Sequence, residues 1–276
     1  MRDHRVVGPE DLAYPAGLLD LESPPTLFVL GETSTAPAVA VVGTRRSTRY
    51  GTTLAEAFGH ALGGAGWTTV SGLARGIDSA AHRGTLRAGG EAVAVLGSGI
   101  DVVYPAENTD LYLGIIESHG AVMSEYPPGT PPDRWRFPAR NLIIAGIASA
   151  VVVVEAGEKG GALITARLGA ELGRPVFVVP GDVDRPASMG CNRLIRDGAH
   201  PVLGVHDLIA ELGLVLGAPP RQHIETVGGI PTAGVAIDDL PTFWDCTPGE
   251  ALARLAKMEI AGEVRRSDDV VLPQPT

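Results

Sequence analysis

From Val39 onward the chain alternates short, almost wholly apolar runs with longer segments in which apolar residues recur at helical spacing. The runs read VAVVG, TTVSG, AVAVLG, AVMSEY, AVVVVEA and PVFVVPG. A strand without polar alternation is covered on both faces, which is the mark of a parallel sheet. Between the runs the spacing predicts helices over Tyr50–Gly63, Ile77–Ala88, Thr109–Ser118 and Ala162–Leu172, with a further helix-length segment at Asn141–Ala148. Strands alternating with helices build right-handed crossovers. The expected fold is therefore α/β: an extended, Rossmann-like, doubly wound, mostly parallel sheet.

That core is expected over residues 38–217, with 1–37 an N-terminal extension leading into it. Residues 218–234, rich in Pro and Gly, read as a linker. Beyond it the pattern predicts a short helix over Asp238–Phe243, a second over Pro248–Met258 and a hairpin over Gly262–Leu272. These make a short, truncated winged-helix-like module over residues 235–276.

In doubly wound sheets ligands bind beyond the carboxyl ends of the strands, and the chemistry of this chain gathers there. The run Val39–Val42 ends at Gly43 and is followed by Thr44, Arg45 and Arg46. The run ending at Ser71 is followed by Arg75, Gly76 and Asp78. The run ending at Val154 leads to Gly160 and Gly161, which open a helix. Glycine turns feeding helix starts point backbone N–H groups and the positive end of the macrodipole at an anion. Asp78 has a plainer reading as well, a local clamp with Arg75 and a cap for its own helix. A further group, PPGTPPDRWRFPARN at 127–141, carries five prolines that favour extended chain. Alternation would then set Trp135 and Phe137 on one side and Arg134 and Arg136 on the other. Such a strip suits single-stranded nucleic acid, which needs stacking faces and cations. It equally suits two core aromatics with arginines in solvent.

Charge at first opposes a nucleic-acid partner, because the 276 residues carry a net charge of −10. The excess acid, however, lies in the flanks. Residues 38–200 hold 15 basic and 15 acidic residues, and the remainder 7 and 17. Fields act over a Debye length of about 8 Å, so a local cationic groove is compatible with an acidic chain.

Two cysteines far apart in sequence make no metal-ligand spacing and fit a reducing compartment. The N-terminus has no apolar signal region, and the longest apolar run, Leu142–Val154, is too short to span a membrane. A cytoplasmic location is expected. Cofactor motifs fail one by one. GSGID has Val102 where the third glycine of a dinucleotide loop belongs, and Lys159 is followed by Gly160 rather than the Ser/Thr pair of a phosphate loop. No cofactor, metal or catalytic acid–base pair is expected, and the chain reads as a binder rather than an enzyme.

The stretches VVGTRRSTRYG, SGLARGIDSAAHRGTL, VLGSGIDVVYP, SEYPPG, FPARNLIIAG, VVVVEAGEKGGALITA and GRPVFVVPGDVDRPASMGCNRLIRDGA, in this order, resemble the DprA/Smf family of DNA-processing proteins. With YPAGLLDLESPPTLFVLGE they run through residues 14–200. The resemblance implies a non-enzymatic, homodimeric protein that binds and protects single-stranded DNA and loads the RecA recombinase during DNA uptake or recombination. It implies that Arg45 contacts phosphate, Phe137 stacks on a base, Arg134 supplies a further basic contact, and Arg140 and Asn141 line the same pocket. Three departures stand out: Tyr14 lies almost at the start, where the family often has a helical module; Ala106 stands where a basic residue is common; and the C-terminal module is short. The alternative is a Rossmann-like nucleoside-monophosphate phosphoribohydrolase, whose P-G-G-x-G-T-x-x-E signature VVVVEAGEKGGALITA lacks.

Overall fold

Apolar runs that leave neither face to water become the inner strands of a nine-stranded sheet in the computed structural model of the chain. The structure describes residues 4–32, 36–217, 226–227, 230–231, 235–244, 246–267 and 270–274. The strands in chain order are β1 (Arg5–Val7), β2 (Leu27–Gly31), β3 (Ala38–Val42), β4 (Thr68–Ser71), β5 (Ala92–Val95), β6 (Ala121–Ser124), β7 (Ala150–Val153), β8 (Val176–Val178) and β9 (His200–Pro201). The helices are α1 (Arg49–Gly64), α2 (Ile77–Arg87), α3 (Thr109–Glu117), α4 (Arg136–Ile147), α5 (Gly161–Glu171), α6 (Met189–Arg196) and α7 (Val205–Leu216).

The strand order is β1-β2-β6-β5-β4-β3-β7-β8-β9. From β6 to β9 all neighbours are parallel. The antiparallel pair β1 and β2 completes one edge, so the N-terminal segment adds strands to the sheet itself. The chain moves outward from β3 through β4 and β5 to β6, then returns across the sheet through α4 to place β7 on the other side of β3. The switch in winding direction therefore falls between β3 and β7, where ligand crevices form in such sheets.

Alternate residues of β3 face opposite layers. Val39 and Val41 pack with Phe58 and Leu62 of α1, Ile77 and Ala81 of α2, and Leu208 and Leu212 of α7. Ala40 and Val42 pack with Ile143 and Ile144 of α4, Ala162 and Ala166 of α5, and Cys191 of α6. Each such aliphatic side chain contributes about 1.5–3 kcal/mol when fully removed from water, so both helix layers are anchored on the strands that carry the crevice.

The described residues fall into two units, Met1–Pro220 and Arg221–Thr276. Most of the 218–234 segment lies outside the described residues. Its described part pairs β10 (Thr226–Val227) with β11 (Ile230–Pro231), and Ile230 is buried in the core of the second unit. That unit continues with β12 (Val235–Ala236), α8 (Leu240–Phe243), α9 (Pro248–Ile260), β13 (Val264–Ser267) and β14 (Val270–Pro273), the strands ordered β12-β14-β13. Thr247 caps α9 through a reciprocal box: its hydroxyl accepts from the Glu250 amide while the Glu250 carboxylate accepts from the Thr247 amide. Thr247→Ala is expected to cost about 1 kcal/mol, read as faster amide exchange in the first turn of α9.

Candidate functional site

β3 and β7 end side by side, and the segments around their carboxyl ends enclose a cleft of about 670 Å³. The loop after β3 supplies Gly43, Thr44, Arg45 and Arg46; the loop after β7 supplies Lys159, Gly160 and Gly161; α4 supplies the floor.

α4 begins at Arg136, five residues before the helix-length segment expected from Asn141. Pro138 falls in its first turn, where an amide has no intrahelical partner to lose. The expected extended strip therefore does not form, because helical winding replaces alternation from Arg136 onward. Phe137, Arg140, Asn141 and Ile144, spaced i, i+3, i+4 and i+7, share one face, and all four line the cleft. Trp135 and Phe137 part company as a result. Phe137 meets Tyr104, with ring centroids 5.9 Å apart, and the Arg45 guanidinium 4.6 Å from its own centroid. Trp135 instead meets Tyr126 and Arg136.

Arg140 is 4% exposed. Its Nη1 donates to the carbonyls of Gly72 (2.5 Å) and Val95 (2.9 Å), and its Nε to Asn141 Oδ1 (3.1 Å). One buried guanidinium thus ties together the ends of β4, β5 and α4. Burial pushes it down to about 10, a shift that the Asp78 charge opposes. A Cβ at Gly72 would lie 1.7 Å from Arg140 Nη1, so only glycine leaves room for this arrangement. Asn141 Nδ2 donates to the Gly161 carbonyl at the start of α5.

The clamp between Arg75 and Asp78 is not what forms. Arg75 turns outward into a bidentate pair with Glu107, both bonds 2.7 Å, and lines a smaller adjoining pocket of about 220 Å³. Asp78 is buried in the first turn of α2 and accepts from the amides of Gly72 (3.1 Å) and Ala74 (3.4 Å). Its carboxyl is raised by burial, against the pull of Arg140. Gly76 lines neither cavity; its positive φ of 76° lets the loop after β4 pass the Thr44 carbonyl, which a Cβ would meet at 2.4 Å.

Helix starts were expected to present free amides to an anion. At α1 the protein's own groups fill that place: the Thr48 hydroxyl accepts from the Gly51 amide at 3.1 Å, Glu155 Oε2 from the Thr48 amide at 2.8 Å, and the Glu155 carbonyl from the Thr44 amide at 2.7 Å. Asp78, in the first turn of α2, instead takes the amides of Gly72 and Ala74 in the loop after β4. The start of α5, at Gly160 and Gly161, faces the cleft and has no side-chain cap.

The charge that remains is positive. Arg45, Arg46, Arg134, Arg140 and Lys159 line the cleft against one carboxylate, the buried Asp78. Tyr104, Lys159 and Glu155 were not among the candidates from sequence. Tyr104 and Lys159 sit in the same kind of loop as the residues that were, after β5 and β7, and that placement is the signal that finds them. Among the described residues no group of three or more His, Cys, Asp or Glu is placed to hold a metal, and no helix is long and apolar enough to cross a membrane.

A doubly wound sheet with a cationic, aromatic-walled crevice at its switch point defines a Rossmann-like protein equipped for a polyanion. Residues 5–213 match the family model described as DNA recombination-mediator protein A. The chain belongs to this family, the DprA/Smf DNA-processing proteins. It is 44% identical over 214 residues to Protein Smf of Synechocystis, covering 75% of this chain and 54% of that protein, so it spans about half the length of that relative. The solved structure of DprA from Streptococcus pneumoniae is similar at a TM-score of 0.70 and 39% identity, covering 76% of this chain and 75% of that one. DprA from Helicobacter pylori, whose structure is described as revealing its single-stranded DNA binding mode, gives 0.68 and 27%, covering 76% and 95%.

Proposed function

We propose that this chain binds single-stranded DNA in the switch-point cleft, with little regard to base sequence. Arg45, Arg46, Arg134 and Lys159 hold phosphates, the start of α5 at Gly160 and Gly161 takes another, and Phe137, backed by Tyr104, receives a base. Arg75 joins at the rim by exchanging Glu107 for a phosphate. The observation that carries this reading is the gathering of four exposed cations and a half-buried aromatic pair on one cleft in a chain of net charge −10. The single-stranded DNA binding of the Helicobacter relative supports it. Asp78, the one acid that lines the cleft, and Glu155, next to the lining residue Ala156, are committed to backbone amides, which supports a binder over a catalyst. In the cell the chain acts as a cytoplasmic homodimer that protects single strands and loads RecA on them during DNA uptake or recombination. Co-sedimentation of RecA and the chain on a single strand tests that last step.

Affinity for oligo-dT across a salt series tests the cleft. The log–log slope is expected near −0.7 per phosphate neutralised, about −2.8 for four exposed cations. Arg45→Ala is expected to make the slope shallower by about 0.7 while leaving the melting temperature unchanged. A flat salt response, or full binding by that variant, overturns the reading.

A further inference from the structure

Trp135 stands at the N-terminal tip of α4, just outside the cleft, and is 62% exposed. An indole that exposed is usually free to swing, but this one is held from three directions. Its Nε1 donates to Asp133 Oδ2 at 2.9 Å. Its ring meets Tyr126 edge-on, centroids 6.1 Å apart at 88°. The Arg136 guanidinium lies 4.9 Å from the Trp135 centroid and 5.1 Å from that of Tyr126, and Arg136 is itself anchored by donating to the Pro131 carbonyl. The other oxygen of Asp133 accepts from the Arg134 amide at 2.6 Å, so that acid is spent on holding the loop.

A large aromatic fixed in place with much of its surface in water loses little freedom when a flat apolar partner settles on it. The neighbours say what that partner is. Arg134, the adjacent residue, lines the cleft, Arg136 lies on the other side, and the nearest acid is already bonded. A base has a π face for the indole and brings a phosphate for the arginines. We propose that Trp135 is a second base-stacking platform. It takes the nucleobase next to the one at Phe137 as the strand leaves the cleft around the tip of α4, with Arg134 on the phosphate between. This rests on the reading of the cleft as a single-stranded DNA site.

The chain carries its own probe, because Trp67 is buried and Trp244 lies in the other unit. Titration of the full-length chain with oligo-dT is expected to quench intrinsic tryptophan fluorescence. Trp135→Phe is expected to keep the affinity, measured by anisotropy of a labelled oligo-dT, and to abolish the quenching. Trp135→Ala is expected to weaken binding roughly five- to a hundredfold without lowering the melting temperature. Oligo-dT that binds tightly with no quenching, or undiminished binding by Trp135→Ala, removes the second platform and leaves the cleft reading standing. A change in emission with protein concentration alone, lost in Trp135→Phe, assigns the indole to a contact between copies and also overturns the proposal. Absence of any oligo-dT binding by the wild type removes both readings.

Discussion

Arg140→Ala is expected to lower stability by about 3–5 kcal/mol, the loss that follows when one charge of a buried set is taken away. The variant leaves the Gly72 and Val95 carbonyls without their donor and the buried Asp78 without the cation that offsets it. It also opens a gap where the guanidinium joins α4 to the ends of β4 and β5. The effect is to be read from the shift of the urea midpoint at constant slope. Arg140→Lys is expected to recover only part of the loss, because an ammonium keeps the charge but cannot span two carbonyls and Asn141 with a planar fork. Substitution of the exposed Arg45 should leave the midpoint within about 0.5 kcal/mol. The contrast separates a residue that builds the cleft from one that works in it. An Arg140→Ala midpoint equal to wild type would mean that the loops hold their shape without it.

Acidification is expected to destabilise the first unit through His82. This side chain of α2 is fully buried, and burial, with Arg140 nearby, pushes it down to about 3 from an ordinary value of 6.5. Between those values the unfolded chain binds the proton and the native state does not. The stabilisation is therefore complete above pH 6.5 and declines as pH falls towards 3, by about 1.4 kcal/mol per unit. From pH 6.5 to 5 the expected loss is about 2 kcal/mol. Asp78 acts in the opposite sense, since its raised carboxyl takes up a proton more readily in the native state than in the unfolded chain. Comparison with His82→Leu isolates the histidine: its stability should vary less over this range, as measured by urea melts at several pH values. Parallel profiles for the two proteins would show that His82 is not held neutral.

The parts of the fold legible in the sequence are those whose cause is local. The runs that became β3 to β8 are buried on both faces, and α1, α2, α3 and α5 begin and end within a residue of the expected limits because glycines and strand ends bracket them. The start of α4 was obscured by prolines, which favour extended chain before a helix but are also tolerated in its first turn. β1 and β2 were not anticipated, being short and paired antiparallel at an edge. Neither was α6, only eight residues long, although Cys191 is in the core and Leu194 and Ile195 pack against it. At the site, placement was legible and partnership was not. Arg45 and Gly161 follow from strand ends, whereas Phe137 and Asn141 came with the family resemblance, because the strip that carries Phe137 reads as extended chain and winds into α4 instead. That Arg140 is a strut, that Arg75 faces Glu107 and that Glu155 holds the Thr48 amide depends on residues 68, 32 and 107 positions apart in sequence, pairings no local pattern encodes.

Glu155 has a kinetic consequence. Its carbonyl and carboxylate bind the two ends of the loop after β3, so the strands on either side of the switch cannot part without breaking both contacts. The mouth of the crevice is set before any ligand arrives. On the proposed function, capture is expected to need no opening step and to run at the pace of electrostatically steered encounter, which falls steeply with ionic strength. How long the complex lasts is left to the rate of escape.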